Sequence, residues 1–422
     1  MNSFRSYGSQ LRRFRTNARL YLIYSFASGF SLGIIRLLFN FYVLSLGHDA
    51  SFLGLLVALP PIVITIAAIP VGIVGQRIGY RAALLLGAAL MVGSLLGISL
   101  SSGAIALVAF SIIRGLSRTV LQVSNAPFMA ENSGEVERTH LFSVQFATRT
   151  LSSFFGFLLA GVLPLIFSRI LPVGPEDPIA YRASIFVAAG IFSVSILPLL
   201  RVRRLAPAAT PIVRPKLSQM FRPPGPLLKL FAPQVLIGFG AGALVPFLNV
   251  FLRARFGLSD AYVGLLFAFQ SLVMAFATFI GPIIAERFSR IGAVIAVQLL
   301  SIPFLVTLGY VPVLSLASLG FLARASLMNM ANPLYTAFAM DAVSPEKRPT
   351  ASALMQMSWQ GTRGLSALVS GQIQEGYGFS ALFPITIGCY LAATGLIWRF
   401  FGRKGEDPPC GEGVSAIRFR TE

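Results

Sequence analysis

The chain has 422 residues, of which 55% are hydrophobic and only 12% are charged, and it carries a formal net charge of +19. That composition excludes an ordinary soluble globule. The charge alone would admit a nucleic-acid partner, but the placement of the basic residues argues for membrane topology instead. Apolar runs long enough to cross about 30 Å of hydrocarbon recur along the chain between short charged or Gly/Pro-containing breaks. In order they predict twelve spans, at 20–46, 52–75, 82–101, 104–130, 141–168, 183–200, 230–252, 261–285, 291–311, 313–340, 351–373 and 378–402.

With the N-terminus placed in the cytoplasm, 24 of the 34 basic residues lie on the inside, counting Arg399 at the cytoplasmic end of the last span. Only four, Arg169, Arg182, Arg253 and Arg255, fall outside. The positive-inside rule therefore places both termini in the cytoplasm of a multi-pass protein of the cell (inner) membrane. Some of the basic excess is expected to touch anionic headgroups. The basic N-terminal arm, 1–19, leads directly into a full-length span, so no cleavable signal peptide is expected. The first six spans define a bundle at 20–200 and the last six a bundle at 230–402. They are joined by a Pro- and Arg-rich linker, 201–229, and followed by a cytoplasmic tail, 403–422. Cys389 and Cys410 have no metal-ligand companions, and a disulfide between them is not expected.

Shifting the sequence by 210 residues aligns the two halves without gaps over much of each half. Arg77 falls on Arg287, Gln76 on Glu286, Gly54-Leu55-Leu56 on Gly264-Leu265-Leu266, Arg114 on Arg324, Glu131 on Asp341, and Arg138 on Arg348. Internal duplication of this kind is expected of transporters. The turn GIVGQRIGYR at 72–81 supplies Gly72, Arg77, Gly79 and Arg81 in the spacing G-x-x-x-D-R-x-G-R-R, with Gln76 at the aspartate and Tyr80 at one basic position. Glu286 and Arg287 keep the acid-base pair in the second half, where Ser289 replaces a glycine. On these residues the chain resembles the major facilitator superfamily over essentially its whole length. The resemblance implies an all-α integral membrane fold of twelve helices in two pseudo-symmetric six-helix bundles.

The physical reading of the turn is that glycine permits close helix approach and a tight corner. The charged positions are candidates for gating. Arg77 is expected to pair with Glu131, and Arg287 with Asp341, with Arg138 and Arg348 following each acid by seven residues. Separation of such pairs when the halves rock would favour the inward-open state.

Six arginines fall well inside the spans, Arg36, Arg114, Arg118, Arg149, Arg324 and Arg363, while Arg399 lies three residues from the end of the last span, and none of the 15 acidic residues lies near a span centre. An arginine at bilayer depth costs several kcal/mol unless it faces water, a partner or a ligand. In span one, Ser25, Gly29, Gly33, Arg36 and Asn40 share a helical face. Allowing one residue of slippage, Gly238, Gly242 and Asn249 repeat that face in span seven, and Val245 stands where Arg36 would be. In span four, Arg114, Arg118, Gln122 and Asn125 share a face, and Arg118 aligns with Met328. Gln145 with Arg149 in span five and Gln360 with Arg363 in span eleven complete the candidate contacts. By the family resemblance spans one, four, seven and ten line the central cavity, which places Arg36 there.

Guanidinium groups donate bidentately to carboxylate, phosphate or sulfate and stay charged in this range. The solute is therefore expected to be an anion, moved by exchange or uniport through alternating access. Two alternatives are proton-coupled efflux of drugs or other amphipathic solutes, and a sensor or scaffold that moves nothing. The sequence shows no phosphate-binding loop with its lysine, no zinc-type Cys/His spacing and no recognisable nucleophile triad. An enzyme is not expected, nor is a cofactor, a metal or a nucleic-acid partner. The expected partners are the lipid bilayer and the small solute, and the protein is expected to be a monomer.

Overall fold

A computed structural model describes residues 14–203, 225–287, 289–343 and 348–402. Among the described residues every regular element is helical. The first half forms α1 (Thr16–Ser45), α2 (Ala50–Ile78), α3 (Tyr80–Leu100), α4 (Ala104–Glu131), α5 (Glu135–Ile170) and α6 (Pro178–Leu200). The second half forms α7a (Gly225–Leu244), α7b (Leu248–Phe256), α8 (Asp260–Arg287), α9 (Arg290–Tyr310), α10 (Leu314–Asp341), α11 (Arg348–Tyr377) and α12 (Leu382–Phe401). The twelve expected spans are thus present as all-α architecture. Eleven are long and apolar enough to cross a membrane. The remaining one, α11, runs for 30 residues but is more polar, because it carries Gln356, Gln360, Arg363, Gln372, Gln374 and Glu375.

One span differs from its expected course. Val245-Pro246-Phe247 forms a single 3-10 turn between α7a and α7b. Pro246 has no N–H to donate and its ring crowds the preceding turn, which interrupts the regular ladder. The helix then resumes to Phe256, so Arg253 and Arg255 lie in the last turn of α7b rather than in a loop beyond the span.

The chain divides into two compact units. One comprises 1–49, 62–212 and 252–271. The other comprises 50–61, 213–251 and 272–422. Each unit thus takes most of one sequence half together with a short segment of the other. In the first unit α1 packs on α5 and α6, and α3 on α4 and α6. In the second, α7a packs on α11 and α12, and α9 on α10 and α12. The four helix pairings correspond one to one, as a duplicated sequence requires.

In lipid these pairings draw little from the hydrophobic effect, so they rest on close backbone approach and on hydroxyls that reach neighbouring carbonyls. Ser31 donates to the Ala188 carbonyl at 2.6 Å and Ser117 to that of Gly87 at 2.7 Å. Ser152 donates to the Phe26 carbonyl, and Ser370 to that of Ala243 at 2.5 Å. At Gly33 an added Cβ would stand 3.0 Å from the Gly156 Cα, and at Gly242 it would stand 2.8 Å from the Arg363 Cα.

A tighter pair of crossings fastens the exchanged segments. Within the first unit, a Cβ on Gly161 would lie 2.8 Å from the Asp260 carbonyl oxygen, and one on Gly264 2.7 Å from that of Phe157. Within the second, a Cβ on Gly371 would lie 2.6 Å from the Ala50 carbonyl oxygen, and one on Gly54 2.9 Å from that of Ala367. Every residue in one crossing stands 210 positions from its counterpart in the other. The α5–α8 and α2–α11 contacts are therefore the same joint built twice.

Branched side chains at these glycines would force backbones apart. Gly264→Val and Gly54→Val are each expected to destabilise the protein by about 1–3 kcal/mol. A Cβ on Gly93 meets nothing within 4 Å, so Gly93→Ala is expected to be neutral or stabilising. Thermal unfolding of the purified protein in detergent measures all three.

Candidate functional site

Charge is distributed by depth along these helices. Every acidic residue in a described helix sits in or next to its first or last turn: Glu131, Glu135, Glu137, Asp260, Glu286, Asp341 and Glu375. The six span arginines lie far from the ends. Even Arg36, the closest, is nine residues short of Ser45, about 13 Å of helix.

In the first unit the arginines divide by environment. Arg114 on α4 is buried, with its guanidinium carbon 3.9 Å from the centroid of Phe39 on α1. Arg118, one turn further along α4, is exposed and lies within electrostatic range of Arg114. Arg36 on α1 is also exposed, 5.7 Å from the ring centroid of Phe157 on α5. Asn40, one turn beyond it, is buried. On α5, Gln145 is buried and donates to Asn125 Oδ1 at 2.8 Å. The Tyr21 hydroxyl of α1 donates to the same oxygen at 2.6 Å. Arg149, one turn from Gln145, is exposed and within electrostatic range of Tyr21 and Tyr24. The amide of Asn125 thereby ties three helices at one point and fixes the base from which Arg149 projects.

The second unit arranges its arginines differently. Arg324 on α10 is buried and donates to the Tyr390 hydroxyl of α12 at 2.5 Å, with its guanidinium 5.7 Å from that ring. Arg363 on α11 is half-buried within electrostatic range of both, while Gln360 is half-buried and Asn249 buried. Arg114 and Arg324, equivalent by the repeat, are both packed against an aromatic ring, which is a structural use of the charge. The exposed guanidiniums at depth, Arg36, Arg118 and Arg149, are all first-half residues. Tyr21, Phe39 and Tyr390 were not singled out by the sequence, since their roles depend on neighbours more than sixty positions away.

Among the described residues the gating candidates include helix caps and one ion pair. Gly79 has φ of +84° at the N-terminus of α3, a conformation that favours glycine. At Gly72 an added Cβ would meet only Val123 at 3.5 Å, an ordinary contact, so the close approach expected there is not required in this conformation. Arg81 donates to the Leu200 carbonyl at the end of α6 at 2.8 Å. Arg138 donates to the Ala130 carbonyl at 3.4 Å, and Arg348 to the Met340 carbonyl at 2.9 Å. Those two arginines occupy equivalent positions and do the same thing: each places a cation over the carbonyl end of the preceding helix.

Asp341 is ion-paired with Arg290. The side chains of Glu286 and Arg287 lie outside the described set. Gln76 and Arg77 are exposed, and among the described ion pairs none joins Arg77 to Glu131. The repeat explains the difference. Position 80 is equivalent to position 290, so Tyr80 stands where the second half has the arginine that holds Asp341. Tyr80 lies within electrostatic range of Glu131, but it supplies no positive charge.

The family model for the Major Facilitator Superfamily matches residues 21–367, with a second match over 230–416. Comparison with curated proteins finds no match. Among solved structures, the nucleoside transporter NupG superposes with a TM-score of 0.76 at 13% identity, covering 91% of this chain and 99% of that one. A bacterial homologue of the human lysosomal transporter Spinster, inward-facing and occupied, gives 0.73 at 15% identity, with 92% and 97% covered. The human organic anion transporter MFSD10 gives 0.60 at 18% identity, with 91% and 99% covered.

The half-to-half difference at position 80 predicts a gain by substitution. Tyr80→Arg is expected to add an ion pair to Glu131 worth about 0.3–1 kcal/mol, and the gain should vanish in the Glu131→Gln background. Arg348→Gln should cost about 0.5–1 kcal/mol through loss of the helix cap, with Arg348→Lys retaining part of it. Thermal unfolding of the double-mutant cycle and of the two Arg348 variants reads these effects.

Proposed function

Because the chain belongs to the major facilitator superfamily and is a membrane transporter of a small solute, we propose that the solute is an anion, or carries an anionic group, and moves by alternating access. The observation that carries this reading is the depth pattern: six arginines far from helix ends, with every acid of a described helix confined to its end region. A membrane interior with that excess of fixed positive charge favours a negative ligand, and guanidinium recognises carboxylate, phosphate or sulfate through paired donors.

The residues divide accordingly. Arg36, Arg118 and Arg149 are the ligand arms, exposed at depth. Gln145 and Asn125 hold the base of the Arg149 turn. Arg114 and Arg324 are each packed against an aromatic ring within their own unit, and Gln360 and Arg363 are the candidate contacts of the second unit. Asn40 and Asn249 are buried polar positions that repeat in both halves and belong to the scaffold. The basic excess in the loops on the side of the termini supports a cell-membrane protein with both termini in the cytoplasm. Structural neighbours named for nucleosides and for organic anions share the fold at under 20% identity, so it is the guanidiniums and not the fold that support the anion reading.

The test is a thermal-shift screen of the purified protein against organic phosphates, carboxylates, inorganic anions and amphipathic cations, with Arg36→Ala and Arg149→Ala in parallel. A matching anion at about 100 times its Kd stabilises the folded state by about 2.7 kcal/mol, and the shift is expected to fall sharply in both variants. Stabilisation by hydrophobic cations alone, unchanged in the variants, would overturn the anion reading in favour of amphipathic efflux.

A further inference from the structure

The second unit gathers hydrogen-bond donors around a point where no acceptor stands. Arg324 on α10 is buried, spends one N–H on the Tyr390 hydroxyl of α12, and leaves its buried Nε without a partner among the described residues. Tyr390 is buried too. Its hydroxyl accepts from Arg324 and meets no acceptor for its own proton among those residues. Arg363 on α11 lies half-buried within electrostatic range of both, and among the described residues it makes no hydrogen bond or ion pair. The carboxylates of these helices are remote. Asp341 ends α10 seventeen residues after Arg324, about 25 Å of helix, and Glu375 follows Arg363 by twelve, about 18 Å. Two guanidiniums and a phenol thus converge, all donors, in an interior where uncompensated charge is costly.

The fold does not demand this cluster. In the repeat Arg324 matches Arg114, but Tyr390 matches Ala180 and Arg363 matches Ser153. The helix pair that carries the phenol also exchanges a large residue for a small one, with Phe30 and Ala180 in the first half at the positions of Gly240 and Tyr390. A Cβ on Gly240 would lie 3.0 Å from Tyr390 Cε1, so glycine makes the room that the ring occupies. The exchange keeps one aromatic ring in the pair and adds a hydroxyl beside Arg324. Packing needs neither that hydroxyl nor the second cation, since the first half pairs its equivalent helices without them. Chemistry found in one unit alone points to a ligand that the other does not hold.

We propose that Arg324, Arg363 and Tyr390 form a binding site for one small inorganic anion of the chloride class, resident in the second unit. The ion supplies the acceptor that the Arg324 Nε, the Arg363 guanidinium and the Tyr390 hydroxyl lack, and it offsets half of the local positive charge. A monovalent ion suits a buried cluster better than a divalent oxyanion, because the cost of stripping water grows with the square of the charge. The site is built from helices of one unit, and it holds whether or not the transported solute is an anion. Folding of the protein is then linked to the concentration of the ion.

The experiment is thermal unfolding of the full chain, purified in detergent, with sodium chloride titrated against sodium gluconate at constant ionic strength. Gluconate is too bulky for a buried cluster. The Tm of wild type is expected to rise saturably with chloride. Arg363→Gln should raise the half-saturating concentration about tenfold, as loss of one charge-assisted hydrogen bond implies, and Tyr390→Phe, which keeps the ring, should raise it by a smaller factor. Arg36→Ala, in the first unit, should leave it unmoved. In parallel, Trp398→Phe leaves Trp359, one turn before Arg363, as the sole tryptophan, and bromide should quench its fluorescence with a saturable dependence that weakens in Tyr390→Phe. No saturable halide dependence in wild type, or one unchanged in both Arg363→Gln and Tyr390→Phe, would overturn the site. A dependence lost in Arg36→Ala and kept in Tyr390→Phe would overturn it as well, moving the ion to the first-unit arms and leaving the anion reading of the solute intact. If Arg363→Gln does not fold, Tyr390→Phe and the quenching decide.

Discussion

A helix in hydrocarbon gains little by burying leucine against leucine, since lipid already supplies that environment. What holds this chain together is therefore close backbone approach, and the molecule depends on the few places where a Cβ would not fit. The α5–α8 and α2–α11 crossings are the clearest, with glycine facing glycine and each added Cβ within 2.6–2.9 Å of a carbonyl oxygen across the joint. Serine and threonine hydroxyls act beside them by donating to carbonyls of the neighbouring helix, as Thr386 does to Gly240 at 3.1 Å. Such contacts fix register tightly while contributing modest energy apiece. A protein held this way can exchange one packed arrangement for another without dismantling a large hydrophobic core.

Given a scaffold repeated so faithfully, the informative residues are those that break the repeat. Arg114 and Arg324 keep it, and both are buried against aromatic rings. Arg138 and Arg348 keep it, and both cap a helix. Arg36 and Arg118 break it, and both are exposed at depth. Symmetry thus separates charge that repeats, and is packed on a ring or caps a helix, from charge that does not repeat and stays exposed. The same comparison explains the first half's weaker corner on the side of the termini, where Tyr80 replaces the arginine equivalent to Arg290 and Glu131 is left outside the described ion pairs.

Much of the architecture was legible in the sequence because it is written in long-range averages. Twelve apolar periods and a gapless shift of 210 residues need no knowledge of who touches whom. Residue roles were legible only where the partner is close in sequence or repeated. Arg348 reads in the sequence as a charge seven residues after an acid, a gating candidate. In the structure the same spacing brings the guanidinium back onto the carbonyl end of α10. The partner of Asp341 was expected to be Arg287. The observed pair is with Arg290, in the first turn of α9, three positions on and beyond the corner. Tyr21, Tyr181 and Tyr390 carry no local signal at all, because a tyrosine in a greasy span looks like packing until its hydroxyl is seen on Asn125, Asp260 or Arg324.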